Sequence, residues 1–193
     1  ELYHKPAFVL TKAENGVKGS GRSIEAYSMY EELVKCSDLL TQFGGHPMAA
    51  GLSMAEENIE RFRKRLNENC TLSEEDLIPT VMIDVPMPIT YITKNLIRQL
   101  SLLEPFGKGN TKPLFAQKGL TVLNYRIFGK NRNVVKVQLA DAGGYQMDGV
   151  YFGEGEAFAA YVDAHPTLSV AYYPSIDTWN GRDKLQINIQ SYF

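Results

Sequence analysis

Apolar residues recur along the chain with two periods. Ala7 to Leu10 is an apolar run that predicts a strand, and Glu14-Asn15-Gly16 predicts a tight turn, because Asn-Gly tolerates positive φ. Ser20 to Ile24 is the expected returning strand. Tyr30, Leu33, Val34, Ser37 and Leu40 then fall at helical spacing, with Ser28 and Glu31 as a capping box and Gly44-Gly45 as the glycine stop. Gly51 to Met54 reads as a strand. Glu56 to Cys70 reads as a second helix with an apolar stripe of Ile59, Phe62, Leu66 and Cys70. Its other positions include Arg61, Arg63, Lys64 and Arg65, a cluster that a solvated helix face explains.

Ser73 to Asp76 predicts one capped turn. Val81 to Val85 reads as a strand between Pro79 and Pro86, and Leu96, Ile97, Leu100 and Leu103 mark a helix. The breaker-rich stretch Glu104 to Asn110 closes this region. Beyond it the period is that of strands: Phe115–Phe128, Val134–Ala140 and Tyr145–Phe152, a short helix over Glu154–Val162, then strands at Leu168–Tyr173 and Leu185–Tyr192. Three strands, a helix and two strands is the order of a five-stranded OB barrel. The expected fold class is α+β: a mixed α/β domain over 1–78, a connecting strand and helix over 79–104, and an OB-fold β-barrel over 105–193.

Composition narrows the class. The 193 residues are 44% hydrophobic and 22% charged, as in an ordinary globular chain. Two cysteines, Cys36 and Cys70, cannot build a disulfide framework or a four-thiolate zinc site, and both are expected as buried free thiols of a reducing compartment. No run approaches the roughly 18 apolar residues of a membrane span. Glu1 to Leu10 lacks the basic start and apolar core of a signal peptide. The abrupt start on a strand predicts a piece excised from a longer cytoplasmic protein, with no membrane partner.

Net charge is −2, but it is unevenly spread. Lys94 to Lys136 carries nine basic residues against one acid, Glu104, a net of +8. Val137 to Phe193 carries two basic residues, Arg182 and Lys184, against seven acids, a net of −5. Such segregation points to a polyanion partner or to a solvated face. Tyr125, Arg126, Phe128, Lys130, Arg132 and Lys136 interleave aromatics with cations, the pattern of a single-strand-binding groove, and Lys108 adds a cation in the preceding loop.

Two short motifs carry chemistry. Gly44-Gly45-His46 offers close backbone approach to a ligand, amides for an anion and an imidazole donor, although a helix stop with an incidental histidine has the same letters. Ser20-Gly21-Arg22-Ser23 offers a guanidinium fork between two hydroxyls, which suits a phosphate, although a hairpin with an exposed arginine does too.

Together, Ser20-x-Arg22-Ser23 and Gly44-Gly45-His46-x-x-Ala49-Ala50-Gly51 resemble the DHH-associated domain of the DHH phosphoesterase superfamily. Tyr3-x-x-Pro6 and Leu103-Glu104-Pro105-Phe106-Gly107-x-Gly109-Asn110-x-x-Pro113-x-Phe115 narrow the resemblance to the RecJ family of single-strand-specific exonucleases, with Thr111 where proline is usual. The resemblance covers essentially the whole chain. It implies a parent enzyme that removes 5′ mononucleotides from single-stranded DNA with Mn²⁺ or Mg²⁺ bound in a separate Asp-His-His domain, a motif this chain does not contain. It implies that Arg22 and His46 meet the phosphate or terminal nucleotide, that Gly44 and Gly45 give room, that no residue here is catalytic or a metal ligand, and that the chain alone is inactive. Single-strand binding protein and a helicase are the protein partners that it suggests. The alternatives are a DHH-family phosphodiesterase of short oligonucleotides or cyclic dinucleotides, which needs no appended barrel, and a non-enzymatic single-strand-binding or interaction module, which needs no substrate clamp.

Overall fold

A computed structural model describes residues 3–178 and 183–193, so Arg182 of the acidic stretch lies outside the described residues. The chain forms two compact units, Glu1–Thr80 and Val81–Phe193.

In the first unit β1 (Ala7–Ala13) and β2 (Gly16–Arg22) form the hairpin expected around Asn15-Gly16. The returning strand begins at Gly16 and ends at Arg22, earlier than expected at both ends. Helix α1 (Met29–Val34) is capped by Ser28, whose hydroxyl accepts from the Glu31 amide at 3.5 Å. It is shorter than its periodicity suggests, and Gly44-Gly45 does not end it. A single 3-10 turn at Ser37–Leu39 follows, Leu40 is extended, and Gly44-Gly45 lies inside strand β3 (Gln42–His46). A 3-10 turn winds at nearly the pitch of a helix, so the apolar period runs through the break. The buried stripe is Met29, Leu33, Cys36 and Leu39, whereas Tyr30 and Val34 are exposed.

Strand β4 (Ala49–Met54) lies between β2 and β3, giving the antiparallel order β1-β2-β4-β3. Alternation places Phe8, Leu10, Val17, Ala50, Leu52 and Met54 on one face. That face packs against α1 and against helix α2 (Ile59–Asn69) through Leu33 and Phe62. On α2, Arg63 and Lys64 pair with Glu60 and Glu68 at 3.5 and 3.7 Å, and Arg65 pairs with Asp38. Cys36 is buried as expected, but Cys70 caps the end of α2 and is exposed, which corrects the expectation of two buried thiols. Asp76 accepts from the amide and hydroxyl of Ser73, closing the expected turn.

In the second unit the expected strand at Val81–Val85 shrinks to β5 (Val85–Pro86), which pairs with the start of β6 (Phe115–Phe128). Pro86 and Pro88 lack amide donors, and the amides of Asp84 and Val85 share the Leu114 carbonyl while that of Met87 reaches the Ala116 carbonyl, so the paired stretch stays short. Helix α3 (Lys94–Ser101) is capped by Thr93. Then β7 (Val134–Ala140), β8 (Gln146–Phe152), α4 (Gly155–Ala164), β9 (Leu168–Asp177) and β10 (Lys184–Tyr192) follow the expected order. The ladder runs β6-β7-β8-β10-β9 and returns to β6 through β9, with β8–β10 as its parallel pair. The five strands therefore close on themselves as an OB barrel. Leu120, Val135, Leu139, Leu168, Tyr172 and Ile187 fill the interior. Fully buried Phe158 of α4 packs on Tyr151 and Tyr192, with ring centroids 5.5 and 5.0 Å away.

Candidate nucleic-acid interface

The register of the first sheet decides what its second face carries. Residues opposite one another in an antiparallel ladder share a face. Ala7 pairs with Arg22, Arg22 with Ala49, and Ala49 with His46, so these four form one cross-strand row. The next row on the same face is Val9, Ser20, Gly51 and Gly44. Gly19 and Gly21 point the other way, where a Cβ would meet Leu10 at 2.4 Å and Met29 at 2.2 Å. Two motifs 20 residues apart thus converge on one exposed face, with Arg22 and His46 two strands apart, about 10 Å at the Cα level.

The polar groups of this face are weakly committed. The Arg22 guanidinium donates to the Gly21 carbonyl at 2.9 Å and to the Ser20 hydroxyl at 3.3 Å, leaving most of its fork open. The His46 Nδ1 accepts from the Met48 amide at 3.3 Å. With Nδ1 as the acceptor, a neutral His46 carries its proton on Nε2, which is then a donor. Ser23 lies apart: its hydroxyl donates to the Tyr27 carbonyl at 2.5 Å and its amide to the Met48 carbonyl, so it ties the two loops together.

The two glycines differ. Gly45 has φ +149°, and a Cβ there would lie 2.4 Å from the Ala49 carbonyl oxygen, so the local backbone itself requires glycine. At Gly44 a Cβ would meet nothing within 4 Å. Beside Gly44, Gly51 leaves the middle row bare. The result is a flat strip of backbone with Arg22 and His46 along one side, which can accept a flat or extended anionic ligand. A cavity of about 630 Å³ elsewhere in this unit, walled by Phe8, Leu10, Ile59, Phe62 and Leu66, contains none of the predicted site residues.

On the barrel, Arg126 stands directly opposite Lys136. Like charges facing across a ladder destabilise it, and neither makes an ion pair among the described residues. Both line a recess of about 580 Å³ on the outer surface with Asn124, Phe128, Asp148 and Gln186. Phe128 pairs with Val134 and Val134 with Phe152, so a row ending in two phenylalanines, 43% and 66% exposed, borders the cationic pair. Phe152 was missed in the sequence, where nothing local sets which face of β8 it takes.

The other predicted barrel residues scatter. Tyr125 faces the opposite way: its ring packs edge-on against Phe158 and its hydroxyl donates to Asp163 at 3.3 Å. Burial, with Asp163 nearby, pushes that phenol up. Arg132, at φ +52°, gives its guanidinium to Glu156. Lys130 lies in the same turn, and Lys108 lies in the Gly107–Asn110 turn, away from any strand. Folding undoes part of the charge segregation of the sequence. Among the described residues Lys94 pairs with Asp183 and Arg132 with Glu156, and Asp148, itself paired with Lys184, lines the recess of Arg126 and Lys136 together with Asp177.

Among the described residues no three His, Cys, Asp or Glu side chains gather where they could hold a metal ion, and no helix is long and apolar enough to cross a membrane.

Comparison with known proteins follows the same division. Residues 83–191 match the RecJ OB domain and residues 1–71 the DHHA1 domain. The chain is 37% identical over 194 residues to the single-stranded-DNA-specific exonuclease RecJ of Bacillus subtilis, covering 98% of this chain and 24% of that protein. It is 31% identical over 198 residues to the RecJ of Escherichia coli, covering 99% and 34%. The crystal structure of RecJ in complex with Mg²⁺ from Thermus thermophilus superposes with a TM-score of 0.72 at 27% identity, over 91% of this chain and 26% of that one. The Mn²⁺ complex gives 0.74. The chain thus spans about a quarter to a third of the length of these relatives.

Proposed function

The chain belongs to the RecJ family, and from that premise we propose that it is the substrate-holding part of a single-strand-specific 5′→3′ DNA exonuclease. The observation that carries this reading is the row of Arg22 and His46 beside the bare Gly44 strip on an exposed sheet face. Arg22 donates two charge-assisted hydrogen bonds to phosphate oxygens. His46 donates a third from Nε2. Gly44 lets the sugar-phosphate backbone lie on the strand. Ser20 offers a hydroxyl in the next row, and Gly45 and Ser23 keep the loops that present these groups in place.

In this reading residues 105–193 hold bases and phosphates of the single strand. Arg126 and Lys136 gain a polyanion that relieves their mutual repulsion, and Phe128 and Phe152 give faces on which unpaired bases stack. Phosphodiester hydrolysis is assigned to a DHH domain in a longer polypeptide, with Mn²⁺ or Mg²⁺ as its ions. The described residues offer no ligand set for such an ion, and none of the contacts above depends on one. Single-strand binding protein and a helicase are the proposed protein partners, and the proposed setting is cytoplasmic DNA repair and recombination.

The test is to incubate the 193-residue chain with Mn²⁺ and 5′-labelled single-stranded DNA, beside the intact enzyme. The expected result is binding without release of mononucleotides. Release at a rate comparable to the intact enzyme places catalysis in this chain and overturns the assignment.

A further inference from the structure

Strand β2 presents one more group to the open face than the motif contains. Along β2 the positions alternate: Val17 is buried, and Gly19 and Gly21 face the core, where added Cβ atoms would strike Leu10 and Met29. Lys18, Ser20 and Arg22 therefore share the exposed side. Lys18 is exposed and makes no ion pair among the described residues. Its own cross-strand row is Thr11, Lys18, Ser53 and Gln42. Every member of that row can donate a hydrogen bond, as Arg22 and His46 do at the far end.

The face thus has three parallel rows. One outer row is donors throughout, the other carries the donors Arg22 and His46 beside two alanines, and the row between them is bare on β4 and β3. Alternate residues of a strand are about 6.8 Å apart. That spacing is close to the phosphate repeat of an extended single strand, so Arg22, Ser20 and Lys18 can lie under three successive phosphates. The floor beneath that track stays low: Ala49, Gly51 and Ser53 are the β4 residues along it, and none reaches higher than a serine hydroxyl.

We propose that β2 acts as a phosphate ruler, in which Lys18 holds the phosphate two places along from the one held by Arg22, with Ser20 under the phosphate between them. The inference rests on the reading of this face as the substrate surface, and it extends that surface from one nucleotide to a run of three phosphates. Binding by such a ruler depends on the length and charge of the strand and is indifferent to base sequence, because every contact is to the backbone.

A methylphosphonate scan tests it. A set of oligothymidylates, each with one linkage made neutral, is titrated by fluorescence anisotropy against the 193-residue chain and its Arg22→Ala, Lys18→Ala and Lys18→Arg variants. Lys18→Ala is expected to weaken binding to the fully charged strand by about three- to fivefold, the scale of one exposed ion pair, and to lower the salt slope by about 0.7. Lys18→Arg keeps both values near wild type. The loss from Arg22→Ala vanishes when one particular linkage is neutral, and the loss from Lys18→Ala vanishes when the linkage two places away is neutral. No loss from Lys18→Ala, or a loss mapped to the same linkage as Arg22, overturns the ruler while leaving the Arg22 site standing. No loss from Arg22→Ala on any strand overturns the site itself.

Discussion

Arg22 and His46 lie in one cross-strand row, separated only by Ala49, although 24 positions part them in sequence. Strand pairing brings them together without any contact between their side chains. Each is therefore removable without disturbing the other or the core. In the intact enzyme, Arg22→Ala and His46→Ala are each expected to lower turnover by roughly 10²–10³-fold, the scale of one donor lost from a developing oxyanion. Both residues are exposed, so Tm stays within a degree or two. Steady-state kinetics with thermal melts check this, and unchanged turnover in both variants reduces the motifs to structural turns.

Gly44 and Gly45 predict opposite outcomes for the same substitution. Gly45→Ala forces an L-residue to φ +149° and a Cβ against the Ala49 carbonyl, so the first unit loses about 1–3 kcal/mol from backbone strain alone, and the clash adds to it. Gly44→Ala adds a methyl to open space, so melting is unchanged while affinity for a single-stranded oligonucleotide falls. Paired melting and binding curves decide, and a Gly44→Ala variant that binds as wild type removes the strip from the site.

On the barrel, the partners of each cation sort the basic residues. Arg132 is committed to Glu156, whereas Arg126 and Lys136 face each other with no ion pair among the described residues. Removing either Arg126 or Lys136 should lower the slope of log K against log salt by about 0.7 for single-stranded DNA, and Arg132→Ala should leave it unchanged. Titration of the 193-residue chain at several salt concentrations measures all three slopes. A larger change from Arg132→Ala than from Arg126→Ala moves the track to the β6–β7 turn.

The aromatics divide in the same way. Phe128→Ala and Phe152→Ala should each weaken single-strand binding by about 1–3 kcal/mol with little change in melting, because these rings stand in solvent. Tyr125→Ala should instead lower Tm, since it empties the edge-on contact with Phe158. Single-strand affinity unaffected by both phenylalanine variants leaves the barrel as a scaffold.

How much of this was legible in the sequence depended on whether the deciding contact was local. The bounds of β7 follow from the sequence, because Val135, Val137 and Leu139 alternate with Lys136 and Gln138 between turn signals. Gly44-Gly45 was misread because a glycine pair looks alike after a helix and within a strand. Only its pairing with Ala50 and Gly51 separates the two. The basic stretch overstated a groove because its neutralising partners, Glu156 and Asp183, lie far along the chain. The open-face site was legible as two motifs, but their convergence, Lys18 beside them and Phe152 on the barrel all follow from strand register, which no single segment encodes.

The most direct measurement is a ¹H–¹⁵N correlation titration of the 193-residue chain with a 5′-phosphorylated single-stranded oligonucleotide. Two basic segments compete in the first unit: strand β2 with Lys18 and Arg22 on the open sheet face, and helix α2 with Arg61, Arg63, Lys64 and Arg65, the last three of which pair with acids. The largest amide shifts in that unit are expected on 18–22 and 42–46, with 61–65 unmoved. Shifts centred on 61–65, with 18–22 and 42–46 silent, contradict it.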